Sequence, residues 1–283
     1  MAGQTAQQAG GPVDGQLRGQ VAVVTGAGRG FGRAIALGFA REGAAVTVTS
    51  RTRSQLDAVV AEITAAGGRA LAVPGDVTQP DDVERVVATT EREWGPASLL
   101  VSNAGVPGPF GPLWAVDPEA WWNAQAVHIR APFLYLRRVL PGMVERRAGR
   151  AILVSALASR MVAPYLSAYC TGKIAQTRIT AEVAAETRTA GVSVFAIDPG
   201  FVFTGIAEET MNSPDAQRWL PGMVARIRER RDAPDRDADL ARCVKRCLDL
   251  ASGRYDALSG RYMELDDDID AMRREALEAG ART

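Results

Sequence analysis

The sequence contains little histidine and little cysteine for its 283 residues. There is one histidine, His128, and there are three cysteines, Cys170, Cys243 and Cys247. A structural zinc site needs about four nitrogen or sulfur ligands in a compact cluster, so we expect no metal site. An odd number of cysteines at these spacings also argues against a disulfide framework, and reduced thiols are typical of the cytoplasm, where we expect the protein.

Neither sign of charge is in excess, since 33 Lys and Arg residues balance 33 Asp and Glu residues. Such a chain lacks the basic footprint that binds nucleic acid or an anionic membrane, so we expect neither partner. No apolar run reaches the ~18 residues of a membrane span, and the first residues lack the pattern of a secretory signal. We interpret residues 1–18 as a flexible N-terminal tail and residues 19–283 as one domain.

Short β-branched segments alternate with helical segments along this domain. Strands are predicted at 20–25, 44–49, 69–73, 98–102, 150–154, 192–197 and 261–265. Helices are predicted at 33–42, 54–66, 79–93, 117–146, 165–188 and 238–251. This alternation predicts the α/β class, with a Rossmann-type doubly wound parallel sheet in a single domain. Residues 201–236 contain three prolines and interrupt the alternation, which indicates a long irregular insertion that can act as a lid.

A glycine-rich turn follows the first predicted strand. It reads Thr25-Gly26-Ala27-Gly28-Arg29-Gly30-Phe31-Gly32. Glycines let the backbone approach a pyrophosphate, and the N-terminus of the next helix offers free N–H groups and a partial positive charge to the anion. Because the turn lies between a strand and a helix at the start of a βαβ unit, it indicates a dinucleotide-binding site.

The TGxxxGxG spacing of this turn resembles the short-chain dehydrogenase/reductase family in its form of ~250 residues. The resemblance extends from Gln20 to about Leu265 and implies a nicotinamide cofactor. Three further segments match family motifs that contact the adenine, line the cofactor site and hold the nicotinamide end of the cofactor. These are Asp76-Val77, Ser102-Asn103-Ala104-Gly105, and the PGxxxT-like loop of Asp198-Pro199-Gly200 with Val202 and Thr204.

No carboxylate lies at the end of the second predicted strand, where NAD-binding sites usually carry an acid for the ribose 2′-hydroxyl. Ser50 and Arg51 occupy this place. A guanidinium suits a 2′-phosphate, and Arg29 lies where NADP-preferring members of the family often carry a basic residue. Two solvated surface arginines would give the same pattern, but the missing acid favours NADP(H) as the cofactor.

A YxxxK motif, Tyr169-Cys170-Thr171-Gly172-Lys173, lies on a predicted helix. Residues four apart share a helix face, so the phenol and the ammonium can act together. We expect the positive charge of Lys173, with that of the oxidised nicotinamide, to lower the pKa of Tyr169 from its usual value of about 10. Tyr169 then exchanges a proton with the substrate oxygen. The resemblance implies that both residues also contact the cofactor, Lys173 through the nicotinamide ribose.

Two positions of the family's catalytic tetrad differ in this sequence. The family serine, 13 residues before the tyrosine, is Ala156, and the family asparagine is His128. In one interpretation Ser155 polarises the carbonyl oxygen, although neighbouring strand residues face opposite sides and this requires a bulge. In a second, Tyr169 protonates the substrate with help from His128, which ordinarily titrates near neutral pH. In a third interpretation, the site catalyses a different reaction or none.

The expected function is that of an NADP(H)-dependent oxidoreductase that reduces a ketone or aldehyde, or oxidises a secondary alcohol. The alternatives are a non-redox enzyme of the same fold (an isomerase, cyclase or lyase) and a catalytically silent NADP-binding protein. Apolar loop residues such as Phe110, Trp114, Met161 and Tyr165 favour an apolar or cyclic carbonyl or alcohol substrate. The resemblance also implies a homodimer or homotetramer.

Overall fold

The computed structural model describes residues 15–280 of the chain. Its strands are Val21–Thr25 (β1), Ala45–Thr49 (β2), Arg69–Ala72 (β3), Leu99–Ser102 (β4), Gly149–Val154 (β5), Val192–Ile197 (β6) and Tyr262–Met263 (β7). They form one parallel sheet in the order β3-β2-β1-β4-β5-β6-β7. The order reverses between β1 and β4, and open parallel sheets bind ligands at the carboxyl ends of strands at such a point.

Helices cover both faces of this sheet. They are Gly30–Arg41 (α1), Arg53–Ala65 (α2), Pro80–Trp94 (α3), Pro118–Gln125 (α4), Ala131–Arg146 (α5), Ser167–Glu186 (α6), Gly205–Asn212 (α7), Pro214–Trp219 (α8), Pro221–Asp232 (α9), Ala238–Ala251 (α10) and Ile269–Gly280 (α11). The predicted doubly wound α/β fold is confirmed. The last helix, α11, lies beyond the final predicted element.

The core has two halves because successive strand residues point to opposite faces of the sheet. In β1, Val24 joins an apolar cluster with α1, α2 and α10, whereas Val23 joins a cluster with α3 and α5. All residues of β1, β2 and β6 are buried, as parallel strands covered on both faces require. Cys243 and Cys247 are buried in the first cluster, where they serve as packing residues.

The predicted helix at 117–146 is divided into three parts. Between α4 and α5, residues Ala126–Arg130 form a π-helical turn, and Pro132 lies in the first turn of α5. Proline has no N–H and cannot donate to the carbonyl four residues earlier, which here belongs to His128. The wider turn accommodates this missing bond and changes the direction in which the His128 side chain points.

The segment 201–236 is mostly helical, so the prediction of an irregular insertion is wrong. It contains α7, α8 and α9. Pro214 and Pro221, which suggested irregular backbone, are the first residues of α8 and α9, where a missing N–H costs nothing. Ser213 caps α8, because its hydroxyl accepts a hydrogen bond from the Ala216 N–H at 3.3 Å.

The predicted flexible tail, residues 1–18, lies largely outside the described residues. Its last four residues contradict the prediction. The Leu17 side chain is fully buried in the cluster beside α1, and the Leu17 N–H donates to the Glu42 carbonyl at 2.9 Å. Removing an apolar side chain from water stabilises this contact, so residues 15–18 belong to the domain.

Replacing Leu17 tests this packing. We expect Leu17→Ala to lower the free energy of unfolding by about 2–5 kcal/mol, because it removes buried methyl groups and leaves a cavity. Urea denaturation measures the change. Val162→Ala is the matched control, since the Val162 side chain is 92% exposed and surface changes usually stay within about 0.5 kcal/mol. Equal losses in the two variants would contradict the packing of Leu17.

Candidate active site

A cavity of about 710 Å³ opens at the carboxyl ends of the central strands. The predicted cofactor residues that line it are Gly26, Gly28, Arg29, Gly30, Phe31, Ser50, Arg51, Asp76, Val77, Asn103, Ala104, Gly105 and Thr204. The sequence analysis missed Thr52, Gln55, Gly75, Thr78, Val106, Asn123, Ala126, Val127, Gly205 and Ile206. Several are sequence neighbours of predicted residues, whereas the spacing of Asn123, Ala126 and Val127 is that of one helix face, which was the available signal.

The glycine turn has the backbone geometry that its sequence predicted. Gly26 and Gly30 have φ values of +63° and +57°, which residues with a Cβ rarely adopt. A side chain at Gly32 would overlap the Gly26 carbonyl, so glycine also lets α1 approach the turn. Arg29 at the N-cap of α1 gives no side-chain cap. The first N–H groups of α1 therefore remain available to an anion.

Other predicted cofactor residues support the cavity from outside its lining. These residues are Thr25, Gly32, Pro199, Gly200 and Val202, and the predicted Tyr169 and Lys173 also lie outside the lining. The Thr25 hydroxyl accepts hydrogen bonds from the backbone N–H groups of Asn103 and Ala104 at 2.9 and 3.1 Å. Thr25 thus holds the end of β4 against the end of β1. Gly200, with φ of +84°, lets the loop after β6 turn back towards Thr204.

The lining fits a dinucleotide. The Ser50 hydroxyl at the end of β2 is buried and has no hydrogen-bond partner in the described protein, although a buried polar group without one is costly. The carboxylate of Asp76 lies in the lining but is engaged, since its Oδ1 accepts from the N–H and the hydroxyl of Thr78 at 2.9 and 2.7 Å. A ligand hydroxyl or phosphate would satisfy Ser50.

Lys173 is buried at the carboxyl end of β5. Its Nζ lies 5.5 Å from the centre of the Tyr169 ring and donates to the Val154 carbonyl at 2.8 Å. A weaker bond of 3.4 Å reaches the side-chain oxygen of Gln176. Burial lowers the pKa of Lys173 to about 7, and the Asp198 carboxylate partly offsets this effect.

Most of the Tyr169 surface is buried, beside Lys173. Burial raises the pKa of Tyr169 above its usual value, and the Asp198 carboxylate adds to the increase. The expected lowering of the Tyr169 pKa is therefore wrong for the protein without a cofactor. The physical reason is that the phenolate would lose its contact with water and would lie near the negative charge of Asp198. Tyr169 thus keeps its proton at neutral pH.

Ser155 does not replace the missing serine at Ala156. The Ser155 side chain is buried, and its hydroxyl donates to the Lys173 carbonyl at 2.9 Å. The neighbouring Ala156 is extended and partly exposed, as the alternation of strand side chains requires. Ser155 therefore supports the backbone of α6, and the interpretation that it polarises a substrate carbonyl is wrong.

His128 is buried with its ring edge-on to Tyr169, at 5.4 Å between ring centres and 89° between planes. Its Nε2 lies 2.9 Å from the Val106 carbonyl. A carbonyl only accepts, so Nε2 carries the hydrogen and Nδ1 is an acceptor, for which the described protein offers no donor. Burial, with the positive charge of Lys173, lowers the pKa of His128 to about 3, although the hydrogen bond to Val106 acts in the opposite direction. His128 is thus neutral, and the expected titration near neutral pH is wrong.

Gln176 connects the π-helical turn to Lys173, and the sequence analysis missed it. The Gln176 side-chain amide donates to the His128 carbonyl at 2.9 Å, which is the carbonyl that Pro132 leaves without a helical partner. The oxygen of the same amide faces Lys173 Nζ. One side chain therefore satisfies the carbonyl of His128 and helps to hold the Lys173 ammonium. A buried polar residue three positions after Lys173, on the same helix face, was the available signal.

Gly172 makes room for His128. A Cβ at Gly172 would lie 2.5 Å from the Cβ of His128 and 2.8 Å from its Cγ. The glycine in the YxxxK motif and the histidine at the tetrad position are therefore sterically coupled.

Helices α7, α8 and α9, which we call the lid helices after the predicted lid, contribute to an apolar cluster beside Tyr169. Phe110, Leu166, Ala216 and Val224 form its buried centre, with Tyr169 and Cys170 against it. Tyr165, which has a φ of +68°, stacks on Trp219 of α8 at 5.2 Å between ring centres. Trp114 is 89% exposed, so it does not contribute to this wall. The surroundings of Tyr169 on the lid side are thus largely apolar.

Residues 15–280 include no helix that is both long and apolar enough to cross a membrane. In the same part of the chain, no three His, Cys, Asp or Glu side chains come together to hold a metal ion.

Comparison with known proteins agrees with this geometry. Residues 20–215 match the family model for the short chain dehydrogenases. The chain belongs to the short-chain dehydrogenase family. Its members are dehydrogenases and reductases, and the matched residues include the glycine turn, Tyr169 and Lys173.

Several members of the short-chain dehydrogenase family cover most of the chain. A short chain dehydrogenase of Pseudocercospora fijiensis is 34% identical, over 94% of this chain and 86% of its own. A 3-oxoacyl-[acyl-carrier-protein] reductase of Synechocystis is 35% identical, over 72% of this chain and 83% of its own. A crystal structure from Beutenbergia cavernae, described as an NAD(P)-dependent gluconate 5-dehydrogenase with NADP at low occupancy, is 29% identical. It has a TM-score of 0.75 and covers 92% of this chain and 100% of that one.

Replacing Gly172 tests its steric coupling to His128. Glycine to alanine inside a helix usually stabilises by roughly 0.5–1 kcal/mol. We expect Gly172→Ala instead to destabilise by about 1–3 kcal/mol, because the new Cβ forces the π-helical turn to move. Gly142→Ala in α5 is the control, since its Cβ would meet only the far end of the long Arg146 side chain. Denaturant unfolding of both variants measures the difference, and stabilisation by Gly172→Ala would contradict the packing.

Nuclear magnetic resonance tests the state of His128, which is the only histidine when the protein carries no tag. We expect no titration of the imidazole between pH 5 and 8, with the hydrogen on Nε2. The folded pKa of about 3 lies below the unfolded value of about 6.5, so the unfolded chain binds the extra proton between these values. The stability that neutral His128 contributes is therefore complete above about pH 6.5 and is lost towards pH 3. A titration midpoint near 6.5 in the folded protein would contradict this expectation.

Proposed function

We propose that this short-chain dehydrogenase reduces a ketone or aldehyde with NADPH, and oxidises the corresponding alcohol in the reverse direction. The observation that carries the proposal is the pair of Tyr169, which keeps its proton, and Lys173. Tyr169 packs edge-on against His128, whose Nε2 lies 2.9 Å from the carbonyl of Val106, a residue that lines the dinucleotide cavity. A phenol that holds its proton at neutral pH can act as a general acid towards a developing alkoxide.

The choice of NADP(H) is supported by the end of β2. Ser50 and Arg51 line the cavity there, Arg29 lines it from the glycine turn, and the nearby carboxylate of Asp76 is engaged with Thr78. Guanidinium groups bind phosphate well, and the absence of an acid at this position removes repulsion of a 2′-phosphate. The related Beutenbergia structure contains NADP.

Tyr169, Lys173 and His128 have different roles in the proposed reaction. NADPH supplies the hydride when bound. Tyr169 donates its proton to the carbonyl oxygen, and because Ala156 has no hydroxyl and Ser155 is engaged, Tyr169 is the hydroxyl that binds this oxygen. Lys173 holds the cofactor ribose and draws the phenolate charge towards itself. His128 is neutral and positions the Tyr169 ring by edge-on packing.

An apolar substrate is supported by the cluster of Phe110, Leu166 and Val224, which packs with Tyr169 beneath the lid helices. Sites of this kind bind ligands by apolar contact and orient them with few polar groups. The related Synechocystis protein is by name a reductase of a 3-oxo group, which agrees with reduction of a ketone.

A homodimer or homotetramer is part of the proposal. Trp122, Phe133 and Ile174 expose 65%, 52% and 54% of their surface on neighbouring helices, where large apolar side chains would favour contact with a second copy.

Replacing Tyr169 tests the function. We expect Tyr169→Phe to slow ketone-dependent oxidation of NADPH by about 10²–10⁴-fold, since the general acid is lost. The dissociation constant of NADPH, measured by its fluorescence, should change little, because the ring and Lys173 remain. A panel of cyclic and linear ketones provides the substrates. A parent protein that binds NADPH tightly and oxidises none of it with any ketone of the panel would contradict the proposal. That result would replace this proposal with a non-redox enzyme of the same fold.

A further inference from the structure

The guanidinium of Arg29, a residue that lines the cavity, forms an ion pair with Glu209. Its Nη2 lies 2.6 Å from Oε1 of Glu209 on α7, and each side chain is 51% exposed. The guanidinium passes over Gly205, the first residue of α7, where any Cβ would overlap it. The lid helix and the glycine turn are thus joined by one ion pair.

Arg29 also lies beside the expected place of the adenosine ribose. The preceding residue, Gly28, packs against the end of β2, since a Cβ there would lie 3.1 Å from the Ser50 hydroxyl. In the ion pair the Arg29 guanidinium is directed towards α7, so it has to rotate away from Glu209 to reach a phosphate near Ser50. Arg51, in contrast, has no ion-pair partner within residues 15–280. Of the two arginines, only Arg29 must leave a carboxylate to reach a phosphate.

We infer that Glu209 is a specificity-determining residue that competes with the 2′-phosphate of NADP(H) for Arg29. The inference rests on the proposed function only in taking NADP(H) as a cofactor. NADH has a hydroxyl in place of the phosphate and does not need Arg29, so Glu209 lowers the affinity for NADPH and leaves that for NADH unchanged. Glu209 therefore reduces the preference between the two cofactors. Because the ion pair is half exposed, its effect is limited to at most about fivefold in affinity.

Dissociation constants of NADPH and NADH, measured by fluorescence with the purified protein, test this inference. We expect Glu209→Gln to tighten NADPH binding about two- to fivefold and to leave NADH binding unchanged. Glu208→Gln is the matched control, because it removes the same charge from the same exposed helix without touching Arg29. In an Arg29→Gln background, Glu209→Gln should have no effect on either cofactor. Adenosine 2′,5′-bisphosphate and 5′-AMP should repeat the same contrast.

Several outcomes overturn the inference. Equal tightening of both cofactors, or an equal effect of Glu208→Gln, would show a general charge effect. Weaker binding of both would show that the ion pair instead holds the lid closed over the cofactor. A parent protein that binds NADH but not NADPH overturns the proposed cofactor itself. If the parent binds and oxidises NADPH, but Glu209→Gln leaves the ratio of the two dissociation constants unchanged, the inference alone fails.

Discussion

The buried ammonium of Lys173 is the constraint on which the arrangement of the site depends. A charge removed from water must find acceptors, and Lys173 finds the carbonyl at the end of β5 and the amide oxygen of Gln176. These bonds fix α6 relative to the sheet. They also place Tyr169 one helical turn away, where its ring packs against His128. Since desolvation still lowers the pKa of Lys173, the pair leaves the phenol protonated, which suits a donor of protons to a carbonyl oxygen.

His128, which differs from the family tetrad, is held by a connected set of residues. Pro132 withdraws the helical hydrogen bond from the His128 carbonyl, Gln176 replaces it, and Gly172 leaves the space that the imidazole occupies. The ring of His128 then packs on Tyr169, and the Nε2–H of His128 donates a hydrogen bond to the carbonyl of Val106. His128 therefore acts through packing. A site that has lost the serine hydroxyl at Ala156 keeps its tyrosine oriented by these contacts.

The lid contributes to both ends of the site. Ala216 and Val224 complete the apolar surroundings of Tyr169, and Glu209 reaches the glycine turn through Arg29. Helices of the same segment thus contact both the glycine turn and the surroundings of Tyr169.

Local sequence determined the fold class, the glycine turn and the Tyr169–Lys173 pair. Strand and helix periods, glycine positions and a spacing of four residues each depend on near neighbours in the chain, so they can be read without coordinates. The tertiary structure alone decided that Ser155 turns away, that His128 is neutral, that Leu17 is core and that Arg29 pairs with Glu209. Burial and hydrogen-bond partners depend on segments far apart in sequence, such as Glu209, which lies 180 residues from Arg29. The pKa of a side chain and the direction in which it points follow from those partners.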